Sequence, residues 1–486
     1  VTLPRLPLAA ATAAAAAALV AGCAAGPDYK KPDAGQLPVS WKVDAPWRES
    51  APGDTLPKGP WWQRYADDQL DGYEKQALEA SPNSALASAR LAQARATLSG
   101  VSGNLYPQVG VGTRGAREKI SADRPLSSYN TPNQTTVQNE FSVNLTVSYE
   151  LDLAGRVRRL VEGARASAEQ SAADFENTRL LLTTDLASAY FNLRGLDTEL
   201  DVVNRSIGLQ RRALDFVTQR HDLGAASGLD VAQQQALLDN TLAQVDVLLK
   251  QRAQYEHAIA TLTGQAAPSF AIAPKPNAMP EPPAIPIGVP SDVLERRPDV
   301  ASAERAMAAA NAQVGVASAA FYPSVIFGPN LGVDSAILPT LFQSSSLLWA
   351  LGVSATQTIF DGGRIRANVD FQKAGYDATV ASYRRTVLTA MQEVEDGITG
   401  LSALDRATAQ AQVAVGSSRK VLDLATARYE GGATTYLDVI NAQQGVLSSE
   451  RQSSQLLSQR LQSSVFLVKA LGGDWNPSAP AAMAAR

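Results

Sequence analysis

Residues 82–264 and 298–473 carry one pattern twice, and this duplication constrains the chain more than any other feature. Asn83 to Pro107 is echoed by Asp299 to Pro323, a shift of 216 residues. Gly155-Arg156-Val157-Arg158 is echoed by Gly363-Arg364-Ile365-Arg366, a shift of 208. The same shift relates Arg220, Gly224 and Leu229-Asp230-Val231 to Arg428, Gly432 and Leu437-Asp438-Val439. Three shared blocks in one order mark an internal repeat. The shift changes between Pro107 and Gly155, so one loop of the first copy is longer by about eight residues. Each copy reads as helix, strand, strand, long helix, turn and return helix. Such a chain suits a quasi-symmetric wall or ring rather than one asymmetric active site.

The start of the chain points to a compartment. Residues 1–22 are almost all Ala, Leu, Val and Pro after Arg5, and they end in Val20-Ala21-Gly22 before Cys23. A short apolar core closed by small residues is expected to be a secretory signal, not a membrane span. Cys23 is the only cysteine and resembles the acceptor of a lipobox. Lipidation there would make it the mature N-terminus and a lipid anchor. A single cysteine allows no disulfide framework. The net charge of −4 offers no basic stripe for nucleic acid. The two histidines, His221 and His257, are far apart, so neither a metal site nor a cofactor is expected.

Residues 23–60 read as an extended tether rich in Pro, Gly and Asp. Trp61 and Trp62 then open a short helical stretch as core anchors. A helix is expected over 82–103, ended by Pro107 and Gly110. From Phe141 the period becomes two: Phe141, Val143, Leu145, Val147, Tyr149 and Leu151 alternate with Ser142, Asn144, Thr146, Ser148, Glu150 and Asp152. A strand of about twelve residues with aromatics near both ends matches a tilted membrane-spanning strand. The strands are expected at about 105–117, 138–152, 321–333 and 347–360, with polar loops over 118–138 and 334–346.

The long helices are expected at about 154–219 and 362–428. The first carries a heptad seam through Leu182, Leu186, Ala189, Leu193, Leu196, Leu200, Val203, Ile207, Gln210, Leu214 and Val217. It would be roughly 95 Å long, more than a compact domain holds. The second seam is weaker, with small residues such as Ala390, Gly397 and Ala411 that allow close helix packing. Return helices are expected at about 230–263 and 438–471. Residues 265–297 form a Pro-rich connector, and 474–486 a tail.

Four amphipathic strands cannot close a membrane barrel, which needs about eight at least, and lipid tolerates no open strand edge. Several chains must therefore combine. The fold class expected is a mixed membrane β-barrel plus a long α-helical barrel, with two internal repeats and four strands per chain.

Leu294-Glu295-Arg296-Arg297-Pro298-Asp299-Val300, followed by Asn311-Ala312-Gln313-Val314-Gly315 and Phe321-Tyr322-Pro323, resembles the mid-chain signature of the TolC-type outer-membrane efflux proteins. The run from Cys23 through Pro27-Asp28-Tyr29 to Pro32 is similar to the mature start of the OprM-like lipoprotein branch. The resemblance covers essentially the whole mature chain. It implies a homotrimer with a barrel of about twelve strands and a periplasmic tunnel of about twelve helices. It also implies a periplasmic adaptor (a membrane fusion protein) and an inner-membrane pump of the resistance-nodulation-division type as partners. Carried over position by position, it places adaptor-docking tips at Arg220, Gly224, Ser227 and Asp230, and at Arg428, Gly432, Thr435 and Asp438. It places a periplasmic gate at Leu437 and Asn441. Asn441 stands where that branch carries an acid, and Asp438, one turn away, is the alternative source of an acidic ring. Arg428 is a candidate partner for Asp438. Arg296-Arg297-Pro298-Asp299 itself reads as a helix start.

The function this supports is a passive exit duct for drugs or other small molecules. A protein-secretion duct and a pore-less periplasmic scaffold are the alternatives, and the strict alternation of 141–151 argues against the scaffold. No Ser/His/Asp set or phosphate loop stands out, so an enzyme is not expected.

Overall fold

The computed structural model describes residues 24–30, 60–121, 136–276, 279–283, 285 and 296–473. Cys23, the leader 1–22, most of the tether, the middle of the first hairpin loop, much of the Pro-rich connector and the tail 474–486 lie outside the described residues. The elements are α1 Asp68–Ala80, α2 Pro82–Ser102, β1 Gln108–Ile120, β2 Thr136–Leu151, α3 Arg156–Asp222 and α4 Gly228–Leu262. The second half adds α5 Pro298–Ala319, β3 Ser324–Phe327, β4 Asn330–Ser335, β5 Leu347–Ala350, β6 Val353–Thr356, α6 Arg364–Glu430 and α7 Tyr436–Ala470. Both long helices have 67 residues and both return helices have 35. Two compact units result: residues 92–170 with 304–382 and the N-terminal segment, and a unit built from 33–91, 171–303 and 383–486.

In the first unit all strands are antiparallel. β2 is central: β1 pairs along one side, and β4 and β3 follow one another along the other. β5 pairs β4, and β6 pairs β3. The sheet therefore has four lanes, the third and fourth of which are each broken in two. This corrects the expectation of unbroken strands over 321–333 and 347–360. Pro329 has no N–H for the ladder, so its carbonyl takes the Val147 N–H at 2.9 Å while Gly328 N–H turns to the Gly352 carbonyl at 2.9 Å. The first hairpin also runs further than expected, since β1 and β2 extend into the stretch read as loop. Its residues there still alternate between faces, which charge had obscured.

Each strand-to-helix junction is capped by a carboxylate. Asp152 accepts the N–H groups of Val157 and Arg158, both at 2.9 Å. Asp361 accepts those of Gly363 at 2.9 Å and Ile365 at 2.7 Å, which hold its carboxyl below the usual range. Capping of this kind supplies orphan donors at a helix start and complements its dipole.

The second unit buries the expected seam: Leu186, Leu193, Val203, Gln210 and Val217 are fully enclosed. Gly397 lets α6 approach α7 closely, because a Cβ there would stand 3.0 Å from Leu467. Trp61, Trp62 and Tyr65 form a 3-10 turn and are buried with Tyr190, Phe191 and Leu461. Asp67 caps α1 through the N–H groups of Gln69 and Leu70, and Tyr190 donates to its other oxygen at 2.7 Å. Arg297 is a clasp at the start of α5. It donates to Asp299 at 2.7 Å, Glu393 at 2.7 Å and the Ala470 carbonyl at 3.0 Å.

A buried ionic network lies in the same unit. Asp197 accepts Arg194 and Arg252, each at 2.6 Å, and the Lys275 N–H at 3.0 Å. Arg252 continues to Glu256 at 2.7 Å and to the Ile272 carbonyl at 2.6 Å. All charges are paired, as burial demands.

Glu74 breaks that rule. It is fully enclosed on the stripe of α1 that also buries Leu70 and Ala77, and among the described residues neither carboxylate oxygen has a partner. Burial, then the nearby Asp71 charge, pushes its carboxyl well above the ordinary range. Folding therefore favours the neutral acid. Its stabilising contribution is complete below the unfolded value of about 4.3. That contribution falls as pH rises toward the elevated folded value. Glu74→Gln should flatten the decline, read as the difference in unfolding midpoint between pH 5 and pH 8.

Candidate functional site: the amphipathic sheet and the helix turns

Opposed residues of an antiparallel ladder share a face, so the register assigns every side chain. Val109, Val111, Val143, Leu145, Val147, Leu331, Val333, Leu347 and Trp349 share one face. Tyr149, Leu151, Val325, Phe327 and Val353 continue it along the other half of the lanes. The opposite face carries Gly110, Gly112, Ser142, Asn144, Thr146, Gly332 and Asp334. The apolar face is open within one chain, with Val111 and Trp349 each 69% exposed. Gly332 is required where it stands, because a Cβ would lie 2.6 Å from the Val143 carbonyl oxygen. Among the described residues, the outer edges of β1 and of the β5/β6 lane have no strand partner.

In the second unit, the two helix turns end alike and restart differently. Gly224 (φ 76°) and Gly432 (φ 71°) adopt the left-handed conformation. Ala225 N–H bonds the Arg220 carbonyl at 2.7 Å and Ala433 N–H the Arg428 carbonyl at 2.8 Å, which closes each long helix by a Schellman motif. Ser227 and Asp230 then form a reciprocal capping box, at 3.2 and 3.1 Å. Thr435 occupies the equivalent cap without a side-chain bond, and the Asp438 carboxylate instead accepts the Thr434 hydroxyl. The turns are thus shorter than 221–229 and 429–437, because glycine closure and capping extend the helices on both sides.

Leu437, Asp438 and Asn441 lie together on the exposed face of α7, opposite buried Tyr436, Val439 and Ile440. Arg428 does not pair with Asp438 within the chain; among the described residues its guanidinium reaches only the Ala433 carbonyl, at 3.5 Å. The arginine that bridges the turns is Arg220, which lies 5.0 Å from the Tyr429 ring centroid and 5.8 Å from that of Phe216. Tyr429 packs on Tyr436 at 4.9 Å. Tyr436 donates to Gln234 Oε1 at 3.0 Å, and Gln234 in turn donates to the Gln210 carbonyl at 3.1 Å and to Gln443 at 3.3 Å. Burial raises the phenols of both tyrosines. This layer was missed in the sequence. Its signal was the asymmetry of the repeat: Tyr429 and Tyr436 stand where the first copy has His221 and Gly228.

The model of the outer membrane efflux protein family matches residues 74–265 and 289–473. The chain belongs to that family. It is 30% identical over 431 residues to the pyoverdine export outer membrane protein OpmQ of Pseudomonas aeruginosa, covering 88% of this chain and 90% of that protein. It is 31% identical over 373 residues to the toluene efflux pump outer membrane protein TtgF of Pseudomonas putida, covering 76% of each. Among solved structures, the outer-membrane channel OprN superposes with a TM-score of 0.86 at 29% identity, covering 93% of this chain and 99% of that one. This chain is accordingly an outer-membrane channel of an efflux system.

For an outer membrane efflux protein the segment after Cys23 is placed informatively. Ala25 N–H bonds the Ala154 carbonyl at 2.7 Å. Arg159, itself buried, holds the Ala25 carbonyl at 3.3 Å and Asp28 at 2.7 Å. Asn311 donates to the Pro27 carbonyl at 3.0 Å and Tyr29 to Glu304 at 2.7 Å. Gly155 (φ 76°) is needed here, since a Cβ would stand 2.7 Å from Ala24 Cα. Residue 24 is thereby fixed beside the exit of β2.

The aromatic layer at the turns is open to test. Tyr436→Phe leaves the buried Gln234 carbonyl oxygen without its donor, which costs about 1–3 kcal/mol. Amide hydrogen exchange in the first turns of α7 should accelerate, while that of α1 stays unchanged.

Proposed function

We propose that three copies of this chain close their sheets edge to edge into one membrane barrel of about twelve strands, with the apolar face toward lipid and the polar face lining a water-filled duct. The observation that carries this reading is a sheet with one apolar and one polar face and two unpartnered outer edges. The long helices of the three copies form a periplasmic tunnel in the same reading. Small molecules, including siderophore-like and aromatic solutes of the kinds named for the relatives, pass outward through the duct without chemistry.

In this reading Cys23 is the lipidated N-terminus. Support comes from Ala24, which is held against Gly155, four residues beyond the end of β2. The turns serve as docking tips for an adaptor that links the duct to an inner-membrane pump. Leu223 and Leu229, 84% and 65% exposed beside Gly224, Ser227 and Asp230, offer an apolar contact there. Arg220, Arg428, Gly432, Thr435 and Asp438 complete the two tips. Leu437, Asp438 and Asn441 form the gate, where three copies of one exposed helix face meet on the axis. Asp438 supplies the acidic ring, since among the described residues its carboxylate is held by a hydroxyl alone, whereas Asp230 is committed to its capping box.

The mature protein should behave as three chains in detergent, and Cys23→Ser should abolish acyl labelling without preventing assembly. A membrane-inserted monomer would contradict the barrel. In planar bilayers, Leu437→Ala should raise resting conductance and Asp438→Ala should lower cation selectivity. If neither property moves, the constriction lies at other residues.

A further inference from the structure

The first hairpin outgrows the second. β4 ends at Ser335, opposite Phe141, whereas β1 and β2 continue from Gly115↔Phe141 through five more pairs to Ile120↔Thr136. On the lipid-facing side of the proposed barrel, β2 is apolar or aromatic at every position from Phe141 to Leu151. That run is roughly 33 Å along the strand, or about 25 Å in height at barrel tilt, which matches a hydrocarbon band. Beyond it the same face changes character. Arg117 stands opposite Asn139, and Lys119 opposite Val137. Both cations are exposed, and neither forms an ion pair among the described residues.

The acids are on the other face. Glu118 and Glu140 point there with Arg114, which lies 4.0 Å from the first and 3.6 Å from the second. Asp334 shares that face, opposite Ser142. Charge is thus divided unequally between the faces: Arg117 and Lys119 point outward without an acid, while the inward face carries three acids and one cation, Arg114, which is paired with two of them. Protection of a strand edge needs charge but no such division. Arg117 and Lys119 rise about 5 and 10 Å above Phe141, within and at the margin of the headgroup layer. The helix-bearing ends of the strands are at the other end of the sheet, so this layer belongs to the outer leaflet.

We propose that Arg117 and Lys119 bind the phosphates of lipid A in the outer leaflet. A guanidinium engages phosphate through two parallel N–H bonds, and a neighbouring ammonium adds a second charge. With the second hairpin ending below, no strand among the described residues screens them on that side. The proposal rests on the barrel reading above. It assigns the protruding hairpin a task beyond conduction, that of fixing the height of the duct in an asymmetric membrane.

The test uses the full mature protein in detergent, with lipid binding read by native mass spectrometry. The wild-type trimer should retain bisphosphorylated lipid A. Arg117→Gln combined with Lys119→Gln should bind it about thirty-fold more weakly, at roughly five-fold per cation. Arg114→Gln, which changes an inward cation, should bind as the wild type does, and dephosphorylated lipid A should not distinguish the wild type from the double variant. Equal retention of lipid A by a trimeric double variant overturns the proposal, and so does displacement of lipid A by millimolar inorganic phosphate, which would mark a free-anion site. A wild-type protein that is monomeric in detergent overturns the barrel reading and this proposal together.

Discussion

Every feature of the sheet follows from the obligation of backbone N–H and C=O groups to find partners. In water an open edge is satisfied by solvent. In hydrocarbon each unpaired group costs several kcal/mol. β1 offers thirteen residues of edge and the β5/β6 lane closes the other side, with no partner within the chain among the described residues. Four lanes are too few to curl onto themselves. Association is therefore the condition under which this sheet can exist in a membrane. In the proposed barrel the apolar face of Val111, Leu145, Leu331 and Trp349 then follows from lipid contact, and the glycines and hydroxyls of the other face from contact with water.

The helical unit answers a different demand. Its core is made within the chain, from the aromatic group around Trp61, Tyr65, Tyr190 and Phe191 and from the heptad seam of α3. Apolar residues remain exposed along the helices all the same, among them Leu388, Val413, Val421 and Leu424 on α6. A helix of about 100 Å cannot cover all its sides with one return helix, and these residues await neighbours from other copies in the proposed trimer. The buried Arg194–Asp197–Arg252 network does not add much net stability, since desolvation offsets most of the attraction. Its value is positional: it fixes the backbone at Ile272, Ala273 and Lys275, where a Pro-rich connector would otherwise have few directional contacts.

Much of this was legible because it depends on local period. The alternation of 141–151 and the absence of proline through 156–222 each dictate an element without reference to the rest of the chain. Arg297-Pro298-Asp299 was legible as a helix start, though not as a clasp on Glu393 and Ala470, which lie far along the sequence. Breaks at Pro329 and Gly352 could be read locally, but the apolar residues around them suggested continuity. The extended first hairpin was hidden because Arg114, Arg117, Glu118 and Lys119 look like loop composition, and only the register shows them sorted by face. The layer of Arg220, Tyr429, Tyr436 and Gln234 left only the asymmetry of the repeat as its sign, and that does not say which residues meet. Its partners are about two hundred positions apart, and no periodicity links a ring to the cation that covers it.

That layer also explains why a duplicated chain need not be a symmetric one. Both turns close with the same glycine geometry, so the repeat preserved what the backbone requires. The side chains then diverged. The first turn uses its serine and aspartate side chains to cap each other's backbone N–H groups, which satisfies two donors and fixes the carboxylate in place. The second turn leaves Thr435 without a side-chain bond and anchors the helix start instead through the rings of Tyr429 and Tyr436. Ring packing and a cation over a ring are less directional than a reciprocal cap and can slide before they break. In the proposed gate, the rigid first turn would serve as the fixed post. The second, held by contacts that tolerate displacement and carrying Asp438, whose carboxylate accepts a hydroxyl rather than a capping-box N–H, would be the leaf that moves.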